Sequence, residues 1–126
     1  MSGRKVLLLD DSLLCLQLES SVLAQAGFDV RTASSLHEFE HALENFTPEI
    51  ILTDVRMPEM DGAALCRRLK SRLRTGHVPV ILFSSLPDQA LAKLAETCGA
   101  DGYLSKTRGL YQLVQRIEDF CESIRW

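Results

Sequence analysis

The chain has 126 residues, the size of one domain, and we predict a single domain over residues 1–126. Apolar residues make up 46% and charged residues 25%, and the formal net charge of −3 offers no broad basic field for nucleic acid. No uncharged apolar run approaches the roughly 18 to 20 residues that cross a bilayer. We therefore expect a cytoplasmic protein with no direct nucleic-acid binding and no membrane insertion.

The four cysteines are scattered singly among apolar helical positions: Cys15, Cys66, Cys98 and Cys121. They lack the close Cys-Cys or Cys-His spacing of a zinc site. Reduced, packed thiols are the preferred interpretation, with disulfide pairing as the weaker alternative.

The first half of the chain alternates short apolar runs with segments of helical period. In chain order we predict a strand at Val6–Leu9, a helix capped by Ser12 that ends near Ala26 before Gly27, a strand at Phe28–Ala33, a helix from Ser35 to about Asn45, and a strand at Ile50–Thr53. Ser35 and Glu38 have the spacing of a capping box, and Pro48 prevents continuation of the helix. The second strand is the least apolar and is therefore expected at a sheet edge.

The second half continues the alternation. We predict a helix from Asp61 or Gly62 to about Leu73, a strand at Val80–Phe83, a helix framed by Ser85 and Asp88 and ended by Gly99, a strand at Gly102–Leu104, and a fifth helix. The fifth helix has the clearest period, with an apolar stripe of Leu110, Leu113, Val114, Ile117, Phe120, Cys121 and Ile124. We interpret that stripe as core-facing.

Strands that alternate with helices favour parallel pairing through right-handed crossovers. The predicted class is α/β, a doubly wound five-stranded parallel sheet with helices on both faces. Runs that are apolar throughout, such as Val6–Leu9, are typical of strands buried on both faces. In this class the carboxyl ends of all strands lie at one edge, where ligands bind at the point at which strand order reverses.

Acidic residues follow two of the predicted strands: Asp10 and Asp11 after the first, and Asp54 after the third. A single acid at a strand-to-helix junction is more often a helix cap. Three carboxylates at neighbouring strand ends would crowd negative charge unless a cation were present, and Mg²⁺ suits such oxygen ligands. Asp54 is also a candidate nucleophile, since carboxylates form acyl phosphates.

Three further side chains lie in or just after the fourth and fifth strands. Lys106 offers a compact positive charge for phosphate, and Ser84 offers a hydroxyl donor. Taken singly, Lys106 would be a solvent-facing lysine, Ser84 a turn hydroxyl and Tyr103 a partly buried strand aromatic. The whole set of groups nevertheless suits phosphoryl transfer to Asp54.

Four segments carry a resemblance to a known family: LLLDDS at 7–12, ILTDVRMPEMDG at 51–62, ILFSS at 81–85 and GADGYLSK at 99–106. Together they closely resemble bacterial response-regulator receiver domains, the chemotaxis-regulator-like switches of two-component signalling. The match covers nearly the whole chain, and the middle segment is the most specific.

The resemblance implies a role for each matching residue. Asp54 would be the phosphoacceptor, Asp10 and Asp11 the acidic pair, Ser84 the switch hydroxyl, Lys106 the phosphate-facing lysine and Tyr103 the switch aromatic, and the Arg56 backbone carbonyl would help to hold Mg²⁺. The implied partners are a histidine kinase or phosphotransfer protein as donor and a downstream protein that contacts the fourth helix, fifth strand and fifth helix. The resemblance leaves the formation of a homodimer undecided and implies no turnover of an external substrate.

The chain departs from the family pattern at two positions. Thr107 stands where the family usually has a cis proline, which puts the geometry of the following loop in question. Ser85 stands where alanine is more typical, and it is expected to narrow access to the site.

Three other functions fit these residues less well. A phosphate-independent receiver-like interaction module would keep the fold and lose acidic or switch residues, which are all present here. A phosphatase with an aspartyl intermediate would require a second acid two residues after Asp54, where Arg56 stands. A flavin or dinucleotide carrier would require a glycine-rich loop after the first strand.

Overall fold

A computed structural model describes residues 4–57 and 61–123. The strands are β1 (Lys5–Leu9), β2 (Asp29–Ala33), β3 (Ile50–Thr53), β4 (Val80–Ser84) and β5 (Gly102–Ser105). The helices are α1 (Leu13–Gln25), α2 (Leu36–Asn45), α3 (Gly62–Ser71), α4 (Asp88–Cys98) and α5 (Leu110–Ser123), and a short 3₁₀ turn covers Lys106–Arg108. Strands and helices alternate along the chain, as predicted.

All five strands lie in one parallel sheet with the order β2-β1-β3-β4-β5. The predicted α/β class is therefore confirmed, and so is the edge position of β2. From β1 the chain passes first to β2 on one side and then to β3 on the other. Strand order reverses between β1 and β3, so the carboxyl ends of these two strands flank the crevice in which ligands bind to such sheets.

The core has two halves, one on each face of the sheet. Alternate residues of β1 separate between them, because Leu7 and Leu9 pack with α2, α3 and α4, whereas Val6 and Leu8 pack with α1 and α5. β4 is buried along its whole length. Burial of a side chain such as Leu8 contributes roughly 2 kcal/mol. Helix packing on both faces thus holds the carboxyl ends of the strands in a fixed arrangement.

Several helix ends lie where the sequence predicts them. Ser12 caps α1 by accepting a hydrogen bond from the Cys15 N–H. Ser35 caps α2 by accepting one from the Glu38 N–H, but the Glu38 carboxylate accepts from the Ser34 N–H, one residue outside a reciprocal capping box. Gly99 ends α4 in the left-handed conformation, with φ of 81°.

Two predicted boundaries were wrong. Ser85 does not cap α4: it lies in a bend, and Pro87 occupies the capping position in an extended conformation without a side-chain cap. α3 ends at Ser71 and not near Leu73, because Arg72 is already extended.

The stripe of α5 packs as predicted, with Leu113, Ile117 and Cys121 buried against the α1 side of the sheet. Ile124, the last member of that stripe, lies outside the described residues. Cys66 and Cys98 are also buried, whereas Cys15 is half-buried, and all four thiols are free. Across residues 4–57 and 61–123, none of the helices is long and apolar enough to span a bilayer.

Candidate functional site

The three predicted acids meet at the crevice between β1 and β3. Carboxylate oxygens of Asp10, Asp11 and Asp54 all lie within 4.8 Å of one another. Asp10 is 2% exposed and its Oδ1 accepts a hydrogen bond from the Ser12 N–H at 2.9 Å, while Asp11 is exposed. Asp10 thus accepts a hydrogen bond within the turn before α1 and also belongs to the acidic cluster.

The backbone around Asp54 is held closely. Its Oδ1 accepts a hydrogen bond from the Val55 N–H at 2.7 Å, and its carbonyl accepts one from Thr53 Oγ1 at 2.9 Å. Gly62, the first residue of α3, donates its N–H to the Val55 carbonyl at 2.6 Å. A Cβ on Gly62 would lie 2.1 Å from the Asp54 carbonyl oxygen, so only glycine permits this approach of α3 to the loop.

Lys106 inserts its ammonium among three carboxylates. Its Nζ forms an ion pair with Asp10 Oδ2 and lies 3.5 Å from Asp54 Oδ2. It also lies 3.7 Å from Oε2 of Glu19, a buried residue of α1. One cation therefore faces three carboxyl groups in a region largely removed from solvent.

Burial and charge shift the pKa values of these groups. Burial raises the pKa of Asp54; the Lys106 ammonium opposes that shift and the Asp10 carboxylate adds to it. Burial raises the pKa of Glu19 to about 7, although Lys106 pulls it downward. Burial alone would lower the pKa of Lys106, but its hydrogen bond to Asp10 and the surrounding carboxylates raise it. The ammonium therefore stays charged, and the negative charge of the carboxylates exceeds the positive charge of Lys106.

Ser84 and Ser105 end adjacent strands and hold the loop between β4 and α4. The buried Ser84 Oγ accepts a hydrogen bond from the Leu86 N–H at 3.3 Å. Ser105 Oγ donates one to the Leu86 carbonyl at 2.8 Å. The turn-hydroxyl interpretation of Ser84 thus describes its contact in this structure, and its switch role stays a prediction.

Tyr103 lies beside Leu82 in the β4–β5 register and is half-buried against the core half that contains α4. Its carbonyl accepts a hydrogen bond from Arg116 Nη1 at 3.0 Å. This partial burial agrees with the alternative interpretation of Tyr103 as an ordinary strand aromatic. The predicted switch role of Tyr103 requires a second conformation.

The turn that follows Lys106 is built without proline. The peptide bonds in the described parts of the chain are trans, including the one that precedes Thr107. Ser105 Oγ accepts a hydrogen bond from the Thr107 N–H at 3.3 Å, and the side chains of these two residues are 2.8 Å apart. Arg108 forms an ion pair with Asp88 at the start of α4. Ser105 therefore caps the turn that carries Lys106, and Ser85 is exposed to solvent nearby.

The donor set fits a hard divalent cation. Three carboxylates that can each supply an oxygen to one point are suitable ligands for Mg²⁺. The Arg56 side chain is exposed, and the backbone N–H of Arg56 donates a hydrogen bond to the Asp54 carboxylate. The contribution of the Arg56 carbonyl to the metal stays a prediction.

Glu19 is the residue of this cluster that the sequence analysis missed. The inner face of α1 presents Leu16, Glu19 and Leu23 at helical spacing, and all three are buried. A glutamate in an otherwise apolar stripe was therefore a signal available in the sequence. Its partner, 87 positions further along the chain, was not.

The chain is similar to known proteins of one family. The family model described as "Response regulator receiver domain" matches residues 6–118. The transcriptional regulatory protein GltR of Pseudomonas aeruginosa is 34% identical over 117 residues, which are 93% of this chain and 48% of GltR. The gliding motility regulatory protein of Myxococcus xanthus is 38% identical over 115 residues, 90% of this chain and 15% of that protein. The chain thus spans half or less of these curated relatives.

Solved structures with the same architecture include chemotaxis protein CheY4 of Vibrio cholerae, with a TM-score of 0.83, 25% identity and coverage of 92% of this chain and 97% of that one. The signal receiver domain of a histidine kinase from Syntrophus aciditrophicus has a TM-score of 0.84 and 29% identity, with coverage of 97% and 92%.

Proposed function

This chain belongs to the family of response regulator receiver domains, and on that premise we propose that it is a switch controlled by phosphorylation of Asp54. Receiver domains are signalling domains of two-component systems that do not turn over an external substrate. The observation that carries the proposal is the position of Lys106 Nζ, 3.5 Å from Asp54 Oδ2 and beside the acidic pair. The donor would be the phosphohistidine of a histidine kinase or of a phosphotransfer protein.

The transfer is a displacement at phosphorus. A carboxylate oxygen of Asp54 attacks the phosphorus atom, the new P–O bond forms as the P–N bond to the donor imidazole breaks, and the imidazole keeps the electron pair and takes a proton. The raised pKa of Asp54 reflects burial among like charges, and at neutral pH the Lys106 ammonium favours its reactive ionised form. Positioning and charge neutralisation therefore supply most of the catalysis.

The acidic cluster would hold Mg²⁺ during this step. Asp11 and Asp54 would bind it directly with the Arg56 carbonyl, and Asp10 would support it through water. When bound, the cation neutralises charge on the phosphoryl oxygens. Asp10 also holds Lys106, so the metal and the ammonium would share one carboxylate as their common support.

Ser84 and Tyr103 would convert phosphorylation into a change of surface. A phosphoryl group on Asp54 offers oxygens that attract the Ser84 hydroxyl, and a move of that hydroxyl would break its hydrogen bond with the Leu86 N–H. The loop before α4 would then shift, and Tyr103 could turn into the space that Ser84 leaves. This is a population shift within one fold.

The output face would be α4, β5 and α5, where a downstream partner or a second copy of the chain could bind. The Arg108–Asp88 ion pair joins the turn after β5 to the start of α4, so movement of either element would also displace the other. Tyr111, on α5, is 80% exposed and lies next to this face.

A labelling experiment tests the phosphoacceptor. The protein is incubated with Mg²⁺ and acetyl phosphate and weighed by intact mass spectrometry, beside Asp54→Asn and the matched control Asp29→Asn from the opposite edge of the sheet. We expect one phosphoryl group on wild type and on the control, removable by hydroxylamine, and none on Asp54→Asn.

Equal labelling of Asp54→Asn would reject Asp54 as the acceptor. Absence of labelling in wild type, with binding to a partner preserved, would favour the phosphate-independent interaction module.

A further inference from the structure

Glu19 is a charged residue in an apolar position. It lies on the inner face of α1 between Leu16 and Leu23 and is 4% exposed. A carboxylate in such a place loses its hydration, which is costly unless a partner compensates for it. Its partner therefore indicates what Glu19 does.

That partner is Lys106. The Glu19 side chain is 5% exposed and the Lys106 side chain 18%, and Oε2 lies 3.7 Å from Nζ. Among the salt bridges of the described residues, Glu19 takes part in this one alone. Lys106 Nζ lies at almost the same distance, 3.5 Å, from Asp54 Oδ2. The ammonium is thus placed between the carboxylate on which a phosphoryl group would be received and one that plays no part in that chemistry.

We propose that Glu19 is a positioning residue that draws the Lys106 ammonium toward α1 and so limits the positive charge that Lys106 presents to a phosphodonor at Asp54. The inference rests on the proposed function of Asp54. Glu19 acts through Lys106 and touches neither donor nor metal in this scheme.

The physical reason is competition for a single cation. Asp10 binds the ammonium directly, and the remaining attraction is divided between Glu19 and Asp54. An incoming phosphodonor adds negative charge on the Asp54 side, so Lys106 must turn its charge toward that side. Above pH 7, where Glu19 is ionised, its negative charge on the other side opposes this shift, most strongly where solvent screening is weak.

The test replaces the charge and keeps the shape. Labelling rates are measured at pH 8, where Glu19 is ionised, and at saturating Mg²⁺, against acetyl phosphate concentration for wild type, Glu19→Gln, Lys106→Met and the double variant. Glu40→Gln, a glutamate paired with arginine far from the site, is the matched control. We expect Glu19→Gln to lower the acetyl phosphate concentration at half-maximal rate about five-fold, with the maximal rate nearly unchanged. The same replacement should have almost no effect in the Lys106→Met background.

A purely structural role for Glu19 would change the unfolding midpoint and leave the half-saturating concentration as in wild type. That result overturns the proposal, as does an equal shift in the presence and absence of Lys106. If Lys106→Met takes up no label, half-saturation in Glu19→Gln equal to that of wild type is the overturning result. If Glu19→Gln does not fold, Glu19→Asp carries the test, because the shorter side chain withdraws the carboxylate from Lys106 and should shift half-saturation in the same direction.

The two proposals fail separately. Wild type that takes up no label on Asp54 defeats the proposed function. Wild type that is labelled on Asp54 with the same donor dependence as Glu19→Gln defeats only the role of Glu19.

Discussion

Two ionic clusters of this molecule are made of similar groups and differ in burial and in charge balance. At the carboxyl edge of the sheet, Lys106 faces Asp10, Glu19 and Asp54. Between α2 and α3, Glu40 accepts two hydrogen bonds from Arg72, at 3.0 and 3.2 Å, and lies 3.6 Å from Arg68.

The cluster between α2 and α3 has enough cations for its carboxylate, whereas the cluster at the carboxyl edge has more carboxylates than cations. Side chains between α2 and α3 are 33% to 46% exposed, and two cations share one anion. At the carboxyl edge the side chains of Lys106, Asp10 and Glu19 are 18%, 3% and 5% exposed, and anions are in excess. A surface ion pair contributes modestly to stability, whereas a buried cluster with surplus charge is held in place by the rest of the fold. The buried cluster is therefore suited to receive a cation.

The largest expected difference between the two clusters is in the loss of their cations. Lys106→Met should destabilise the protein by about 3 kcal/mol, because it leaves buried carboxylates unpaired. Arg72→Met should cost about 0.5 kcal/mol, since solvent screens Glu40. Urea unfolding at pH 8 without Mg²⁺ measures both losses of stability, and equal losses would show that burial makes no difference between the two clusters.

The pH dependence of stability should have opposite sign at the two glutamates. The pKa of Glu19 is raised from 4.5 to about 7, so the folded protein holds a proton that the unfolded chain releases between these values. Stability therefore falls as pH rises through that window. Between pH 4.5 and 8 without Mg²⁺, wild type should lose roughly 2 kcal/mol relative to Glu19→Gln.

For Glu40, the hydrogen bonds from Arg72 lower the pKa, so its contribution is present above pH 4.5 and is lost as pH falls through the folded value. Glu40→Gln should therefore be less stable than wild type at pH 7 and equal to it in strong acid. Chemical unfolding across this range measures both slopes, and parallel profiles for wild type and the two variants would refute the prediction.

The smallest expected effects come from replacing Asp54 or Glu40 alone. Asp54→Asn should stabilise the Mg²⁺-free protein by about 1 kcal/mol, because it removes a partly buried negative charge that lies close to Asp10. Glu40→Gln should do the reverse, by about 0.5 kcal/mol. Thermal unfolding at pH 7.5 with and without Mg²⁺ checks the signs. Destabilisation by Asp54→Asn would show that the buried cluster is balanced.

Local patterns predicted most of the fold because they reflect local physics. Apolar runs become buried parallel strands, as in β1 and β4, and Ser12, Ser35 and Gly99 mark helix ends through hydrogen bonds or backbone conformations confined to a few residues. The end of α3 was misplaced because no local signal marks Arg72 as extended. The start of α4 was misplaced although Pro87, which disfavours a helical conformation at Leu86, was a local signal for it.

The sequence by itself determined the fold class, the strands whose ends carry Asp10, Asp11, Asp54 and Lys106, and the chemistry that such groups suit. Only the tertiary structure decided which carboxylates lie close to the Lys106 ammonium. Lys106 bonds Asp10 and lies between Asp54 and Glu19 because strand order and the rotation of α1 about its axis bring together residues that are distant along the chain. Periodicity reports which face of a helix is buried, and only packing decides what a buried charge meets there.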